Sequence, residues 1–220
     1  MTLECVLFDL DGTLIDTAPD FIQVLNQLLQ DQQKHTLAAD VIRPVVSGGA
    51  RQMVQLGFGG QSGEPDFDRH LQAFLTRYGE CLTPQNCQAI LFTGLAELLK
   101  HLKAQNIPWG IVTNKPERFS RPLMDVLQLN PAVLICPDHV THTKPDPEPL
   151  LLACQQLDCD PQKTVYVGDH QRDIEAGLRA NMTTIIAEWG YFDEHEEIEH
   201  WNAHHLATSA QHLQQLLMAI

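Results

Sequence analysis

Residues 6–14, VLFDLDGTL, constrain this chain more than any other stretch. An apolar run that halts on two aspartates, with Gly12 and Thr13 directly behind, suits a strand buried on both faces whose carboxyl end turns sharply. Open α/β sheets bind their ligands at that end of their strands, so Asp9 is placed for chemistry. A carboxylate there can hold a divalent cation and attack an electrophile, while Asp11, in the turn that Gly12 permits, can handle a proton nearby. Taken alone, these residues also fit a strand that merely ends in an acidic turn.

Behind this stretch, Thr17 is placed to cap a helix with Pro19 and Asp20 in its first turn, and Phe21, Val24, Leu25, Leu28 and Leu29 follow at helical spacing. Residues 37–46 read as a second helix broken by Ser47, Gly48 and Gly49, with another beginning over 50–56. Four glycines mark 57–65 as a loop, and Phe67, Leu71, Phe74, Leu75, Tyr78 and Leu82 mark a fourth helix. No strand is expected from Thr17 to about Asn86. After Gln88 the pattern changes. A helical stripe of Leu95, Leu98, Leu99 and Leu102 is followed by strands at 109–113, 132–136, 164–167 and 183–187, alternating with helices at 116–127, 147–157 and 171–180. The alternation predicts an α/β fold with a Rossmann-like parallel sheet as its core, residues 1–16 and 89–220, and an inserted α-helical cap, residues 17–88, over the strand ends. The linkers are expected near Asp16 and over 89–93.

With 28 acidic and 14 basic residues, the 220-residue chain is a poor partner for nucleic acid or anionic membrane, which want a basic surface. An anionic substrate would be repelled by the overall field, so cations must reverse its sign locally. The six cysteines (5, 81, 87, 136, 154 and 159) show neither CxxC nor Cys/His zinc spacing and read as reduced, mostly buried thiols of a cytoplasmic protein. The chain opens directly on a strand, without a signal-peptide pattern, and no apolar run approaches membrane length. His195, His200, His204, His205 and His212 lie in and after an acidic stretch that lacks a ligand spacing; a solvated loop and helix face is expected there.

Three later strands end in groups that Asp9 would need. The second ends in Thr113 and Asn114, a hydroxyl and an amide able to donate to anionic oxygens. Lys144 follows the third, ahead of the stiff run Pro145 to Pro149, and the fourth ends in Gly168 and Asp169 with Asp173 four residues on. Each is weak alone: a lysine before proline is usually at the surface, and GDxxxD also suits an ordinary helix start. Together they fall at the carboxyl ends of successive parallel strands, where they converge.

This ordered set, DxDGT, a strand-end Thr, a Lys and GDxxxD with a helical insertion after the first motif, resembles the phosphatase branch of the haloacid dehalogenase superfamily over essentially the whole chain. The resemblance implies a sheet with the first strand in its middle. It also implies motif roles for Asp9, Asp11, Thr113, Lys144, Asp169 and Asp173. Asp9 would attack phosphorus to form an aspartyl-phosphate; Mg²⁺ held by Asp9, the Asp11 carbonyl and Asp169 would offset the repulsion. Lys144 would keep Asp9 ionised, Thr113 and the amides near Asp11, Gly12 and Asn114 would hold the phosphoryl oxygens, and Asp173 would orient the metal site or ligate it. Asp11 would protonate the leaving alcohol and then activate water, a role that dehalogenases do not need. A sugar-phosphate mutase of the same fold would use the same acids. A phospho-acceptor module of receiver type shares some of them but has neither the insertion nor Asp11.

In the insertion, Gly48 and Gly49 expose backbone amides at a helix start, and Arg51 could pair with a carboxylate; a glycine hinge beside a surface arginine fits equally. VTNKP at 112–116 and KPDPEPLL at 144–151 are similar to the phosphoglycolate phosphatase group. VVSGGARQMV at 45–54 and LICPDHV at 134–140 are similar, more narrowly, to the N-acetylmuramic acid 6-phosphate phosphatases of cell-wall recycling. The expected partner is thus a small phosphorylated metabolite carrying a carboxylate, met by a monomer or small homo-oligomer.

Overall fold

In the computed structural model, which describes residues 2–192 and 197–220, β1 (Cys5–Phe8) is followed by a two-residue strand β2 (Ile15–Asp16). Four helices then intervene: α1 (Ala18–Asp31), α2 (Ala39–Ile42), α3 (Gly49–Phe58) and α4 (Pro65–Cys81). The chain returns through β3 (Ile90–Leu91) to α5 (Leu95–Ala104), β4 (Trp109–Val112), α6 (Glu117–Leu127), β5 (Val133–Ile135) and α7 (Glu148–Leu157). It closes with β6 (Thr164–Gly168), α8 (Gln171–Arg179), β7 (Thr183–Ala187), β8 (His205–Ala207) and α9 (Ala210–Ala219).

Six strands form one parallel sheet in the order β5-β4-β1-β6-β7-β8. β1 therefore lies inside it, between β4 and β6. Its four residues are fully buried because the two faces feed different cores. Val6 and Phe8 pack into the larger cluster, which α1, α4, α5, α6 and α9 share, while Cys5 and Leu7 meet Ala153, Cys154 and Ala176 of α7 and α8. A strand interior to a parallel sheet has no wet face, which is why it reads as an unbroken apolar run.

The insertion leaves and re-enters through β2 and β3, which pair antiparallel. Buried Asp20, in the first turn of α1, ties the two crossings together: its carboxylate accepts from the backbone amides of Gln88 at 2.7 Å and Ala89 at 3.1 Å. The expected helix over 37–46 is shorter than its pattern. α2 covers one turn, and the chain continues through Pro44 as a 3-10 segment, Arg43–Gly48, because proline has no N–H for an α-helical ladder. Gly57, expected in a loop, belongs instead to the last turn of α3. A Cβ there would stand 2.7 Å from Leu25 Cδ1, so glycine lets α3 approach α1 closely.

Where it is described, the histidine-rich stretch is solvated as expected: His200, His204 and His205 are exposed, and His212 is half-buried on α9. His195 lies outside the described residues. His200 lies beside Glu197, His204 Nδ1 accepts from the backbone of Thr184 on β7, and His205 opens β8, a strand the pattern did not announce. A three-residue strand carries too little alternation to show as a pattern. Cys5, Cys81, Cys136 and Cys154 are buried free thiols; Cys87 and Cys159 are half-buried. Among the described residues, no helix is long and apolar enough to cross a membrane.

Candidate active site

The Asp9 amide donates to Val167 O at 2.9 Å, which carries the sheet ladder one residue past β1 and sets the carboxylate at the strand end. The chain then turns tightly, with the Gly12 amide on Ile15 O and the Ile15 amide on Leu10 O. Gly12 has φ +85°, and a Cβ on it would lie 2.1 Å from Asp169 Oδ2; both conformation and space demand glycine.

Lys144 supplies the charge that the acids need. Its ammonium is buried 2.7 Å from Asp9 Oδ1, 2.7 Å from Asp173 Oδ1 and 2.7 Å from the Tyr166 hydroxyl, and it donates to Val112 O at 3.0 Å. Burial alone would lower its pKa; Asp173 and Asp9 outweigh that, and the net shift is upward. The side chain of Asn114 is spent on holding this lysine. Its Nδ2 donates to Lys144 O at 2.9 Å and its Oδ1 accepts from the Lys144 amide at 3.1 Å, so only the backbone of Asn114 is left for an anion.

Asp169 is fully buried in a slot between two glycines, since a Cβ on Gly190 would also lie 2.1 Å from it, at the Asp169 Cβ. Its oxygens accept from Thr13 Oγ1 at 2.8 Å, from the Tyr191 amide at 2.9 Å and, across from the insertion, from Ser47 Oγ at 2.8 Å. Asp173 accepts from the His170 amide at 3.1 Å, closing the N-terminus of α8, and its other oxygen faces Lys144. His170 is the N-cap of that helix; burial, then Arg172, push its imidazole down to about 4, leaving Nδ1 as an acceptor.

Ligand oxygens of Asp9, Asp169 and Asp173 all lie within 4.8 Å of one another, with one lysine against three acids. Burial is the main reason that the Asp9 carboxyl is pushed up to about 6 and Asp169 to about 8, and the neighbouring acids add to it. Buried like charges at this spacing call for a second cation, and an all-oxygen donor set suits a hard divalent ion.

Asp11 is held by groups that its sequence neighbourhood does not announce. Thr17 leaves the helix-capping role expected of it: its hydroxyl makes no cap bond and donates instead to Asp11 Oδ1 at 2.6 Å. Lys115 Nζ donates to both oxygens of Asp11 at 3.0 and 3.2 Å, and lies 4.6 Å from the Tyr78 ring centroid and 4.9 Å from that of Phe21. No periodicity or motif spacing in the sequence marks Lys115. Its only signal is its place beside Thr113 and Asn114. Thr113 Oγ1 accepts from the Lys115 amide at 3.1 Å, which couples the two positions.

These groups line a cavity of about 500 Å³. Asp9, Asp11, Thr113 and Lys144 form its polar end; Phe21, Leu71, Phe74 and Tyr78 of the insertion and Phe119 of α6 form an apolar wall. Gly49 (φ +73°) and exposed Arg51 stand at the border contributed by α3. The local positive charge is concentrated here: Arg51, Lys115, Arg118, Lys144 and Arg172 all face the cavity.

The chain matches the family described as haloacid dehalogenase-like hydrolase over residues 6–187 and belongs to it. Within that family it stands among phosphatases. It is 44% identical to the N-acetylmuramic acid 6-phosphate phosphatase of Pseudomonas putida over 92% of this chain and 91% of that one. It is 39% identical to a phosphoglycolate phosphatase of Xanthomonas campestris over 86% of this chain and 84% of the other. The crystal structure of a predicted phosphoglycolate phosphatase from Haemophilus somnus has the same fold, with a TM-score of 0.84 at 23% identity over 98% of each chain.

Proposed function

We propose that this phosphatase hydrolyses a carboxylate-bearing sugar phosphate, N-acetylmuramic acid 6-phosphate, through an aspartyl-phosphate on Asp9, with residues 17–88 acting as a cap over the site. The observation that carries the choice of substrate is the cavity. At about 500 Å³ with one apolar wall, it far exceeds a two-carbon ester such as 2-phosphoglycolate and suits a substituted sugar. The identity to N-acetylmuramic acid 6-phosphate phosphatases supports the same reading, and the similarity to phosphoglycolate phosphatases keeps the smaller ester as the second candidate.

Asp9 and Asp169, with the backbone carbonyl of Asp11, are the residues that would hold Mg²⁺, and Asp173 would orient them through Lys144 and the start of α8. When bound, the ion would neutralise charge on the acids and on the phosphoryl oxygens. Asp9 Oδ attacks phosphorus while Lys144 Nζ stays on its other side, and Thr113 with the amides of the 10–13 turn and of Asn114 hold the equatorial oxygens. Asp11 gives its proton to the departing sugar oxygen, then takes one from the water that attacks the aspartyl-phosphate, which restores Asp9 and frees phosphate. Thr17 and Lys115 keep the Asp11 carboxyl aimed at the cavity during both steps.

Steady-state kinetics on N-acetylmuramic acid 6-phosphate, 2-phosphoglycolate and glucose 6-phosphate test the assignment. The highest kcat/KM is expected for the first, with stoichiometric release of inorganic phosphate. Preference for 2-phosphoglycolate would transfer the function to the smaller ester, and turnover without phosphate release would make the chain a mutase.

The metal assignment has its own test. In metal-free protein the folded state holds protons on Asp9 and Asp169 up to about pH 6 and 8, whereas the unfolded chain loses them near 3.8. The folded state thus binds more protons across that window, and stability falls as pH rises from about 4 to about 8. Chelator-treated protein is expected to melt at a lower temperature at pH 8 than at pH 5.5, with Mg²⁺ raising the melting temperature more at pH 8. A Mg²⁺ effect that is absent, or larger at pH 5.5, would reject these acids as its ligands.

A further inference from the structure

Of the eight arginines in this acidic chain, five are ion-paired: Arg43, Arg69, Arg77, Arg121 and Arg179, with Asp16, Asp66, Asp31, Glu117 and Glu175. The other three, Arg51, Arg118 and Arg172, have no acidic partner among the described residues, and all three line the one cavity. With twice as many acids as bases, chance pairing should have reached these guanidiniums too. Their shared location adds positive charge to that of Lys144 and marks a place for a second anionic group besides the phosphate.

The three are not equivalent. Arg51 is exposed at the start of α3, and Arg118 is exposed with its guanidinium 4.7 Å from the Phe119 ring centroid. Arg172 is half-buried and anchored: its backbone N and its Nε donate to His170 Nδ1 at 3.1 and 3.2 Å. His170 in turn stacks on Trp201, at 6.4 Å between centroids and 26° between planes, and Trp201 is buried against Ile174 and Ile186. Its Nη2 also lies 2.8 Å from His170 Nε2, so much of the rotamer entropy that a free arginine would lose on binding is already lost, and Nη1 is the guanidinium nitrogen left for an anion.

We propose that Arg172 reads the second anionic group of the substrate, with His170 as the residue that positions it, so that specificity for a carboxylate-bearing phosphate ester is built into the core and not only into the cap. This rests on the carboxylate-bearing substrate proposed above. A matched pair of probes isolates it: N-acetylmuramic acid 6-phosphate and N-acetylglucosamine 6-phosphate differ only in the lactyl ether that carries the carboxylate. Arg172→Gln is expected to lower kcat/KM for the first by about 10- to 100-fold, mainly through KM, and to leave the second within about twofold. Arg172→Lys, which keeps the charge but not the fork, should recover only part of the loss. His170→Asn, which can still cap α8, should give a smaller loss confined to the same substrate. If wild-type enzyme does not prefer the lactyl-bearing ester, the substrate class falls and this proposal with it. If wild type does prefer it and Arg172→Gln keeps that preference, or loses equally on both esters, Arg172 is not the reader of the carboxylate and only this proposal falls.

Discussion

Asp9→Asn is expected to reduce phosphatase turnover by about 10⁴-fold or more while leaving the fold as stable as wild type, because it removes a nucleophile whose charge the fold strains to hold. Asparagine has the same shape, and its amide can still accept from Lys144. It cannot form an acyl phosphate. Burial pushes the Asp9 carboxyl up to about 6, so the native side chain is a net burden on the metal-free fold above that pH. Lys144 keeps its contact with Asp173 at 2.7 Å in the variant and is not left unpaired. The check is a melting curve in chelator at pH 8 beside an activity assay with Mg²⁺. A variant that melts at or above the wild-type temperature and does not turn over separates chemistry from folding. Near-normal turnover would remove Asp9 from the reaction.

The second large effect concerns Asp11. Asp11→Asn is expected to cost about 10²- to 10⁴-fold in kcat/KM on a sugar phosphate, whose alkoxide must be protonated as it leaves. On an aryl phosphate the first step should nearly survive, since a nitrophenolate leaves without help. The second step should not, because the same side chain activates the water. The variant should therefore release a burst of nitrophenol stoichiometric with enzyme and then stall with phosphate on Asp9. Rapid-mixing kinetics reads this directly. Steady turnover without a burst, at similar cost on both esters, would show that Asp11 positions the site and moves no proton. Thr17 at 2.6 Å and Lys115 at 3.0 Å hold this carboxyl, so changes at either should resemble a weaker Asp11 variant.

Much of this architecture was legible because each strand carries its own punctuation. Val6 to Phe8, Gly110 to Val112 and Val165 to Val167 are apolar runs that give way to Asp9, Thr113 and, past Gly168, Asp169, and the parallel register brings those ends within one residue of the same level. Helical spacing likewise identified the buried faces of α1 and α4, since Phe21, Val24, Leu25, Phe74 and Tyr78 repeat with the turn. Short elements escaped. β2, β3 and β8 have two or three residues each, and their pairing depends on partners that local pattern does not record.

By itself, then, the sequence determined five of the six strands of the sheet, the helical segment between the first two of them and the convergence of Asp9, Asp11, Thr113, Lys144 and Asp169, because apolar periodicity and the polar residues that follow it are local properties of the chain. Only the tertiary structure decided which donor each of these acids receives. Thr17 donates to Asp11 rather than capping its helix, Lys115 meets Asp11 between two rings supplied by α1 and α4, Ser47 crosses to Asp169, and Trp201 backs the histidine that holds Arg172. The physical reason is competition. A buried hydroxyl, ammonium or amide bonds to the nearest acceptor left without water, and which acceptor that is depends on packing between residues tens or hundreds of positions apart.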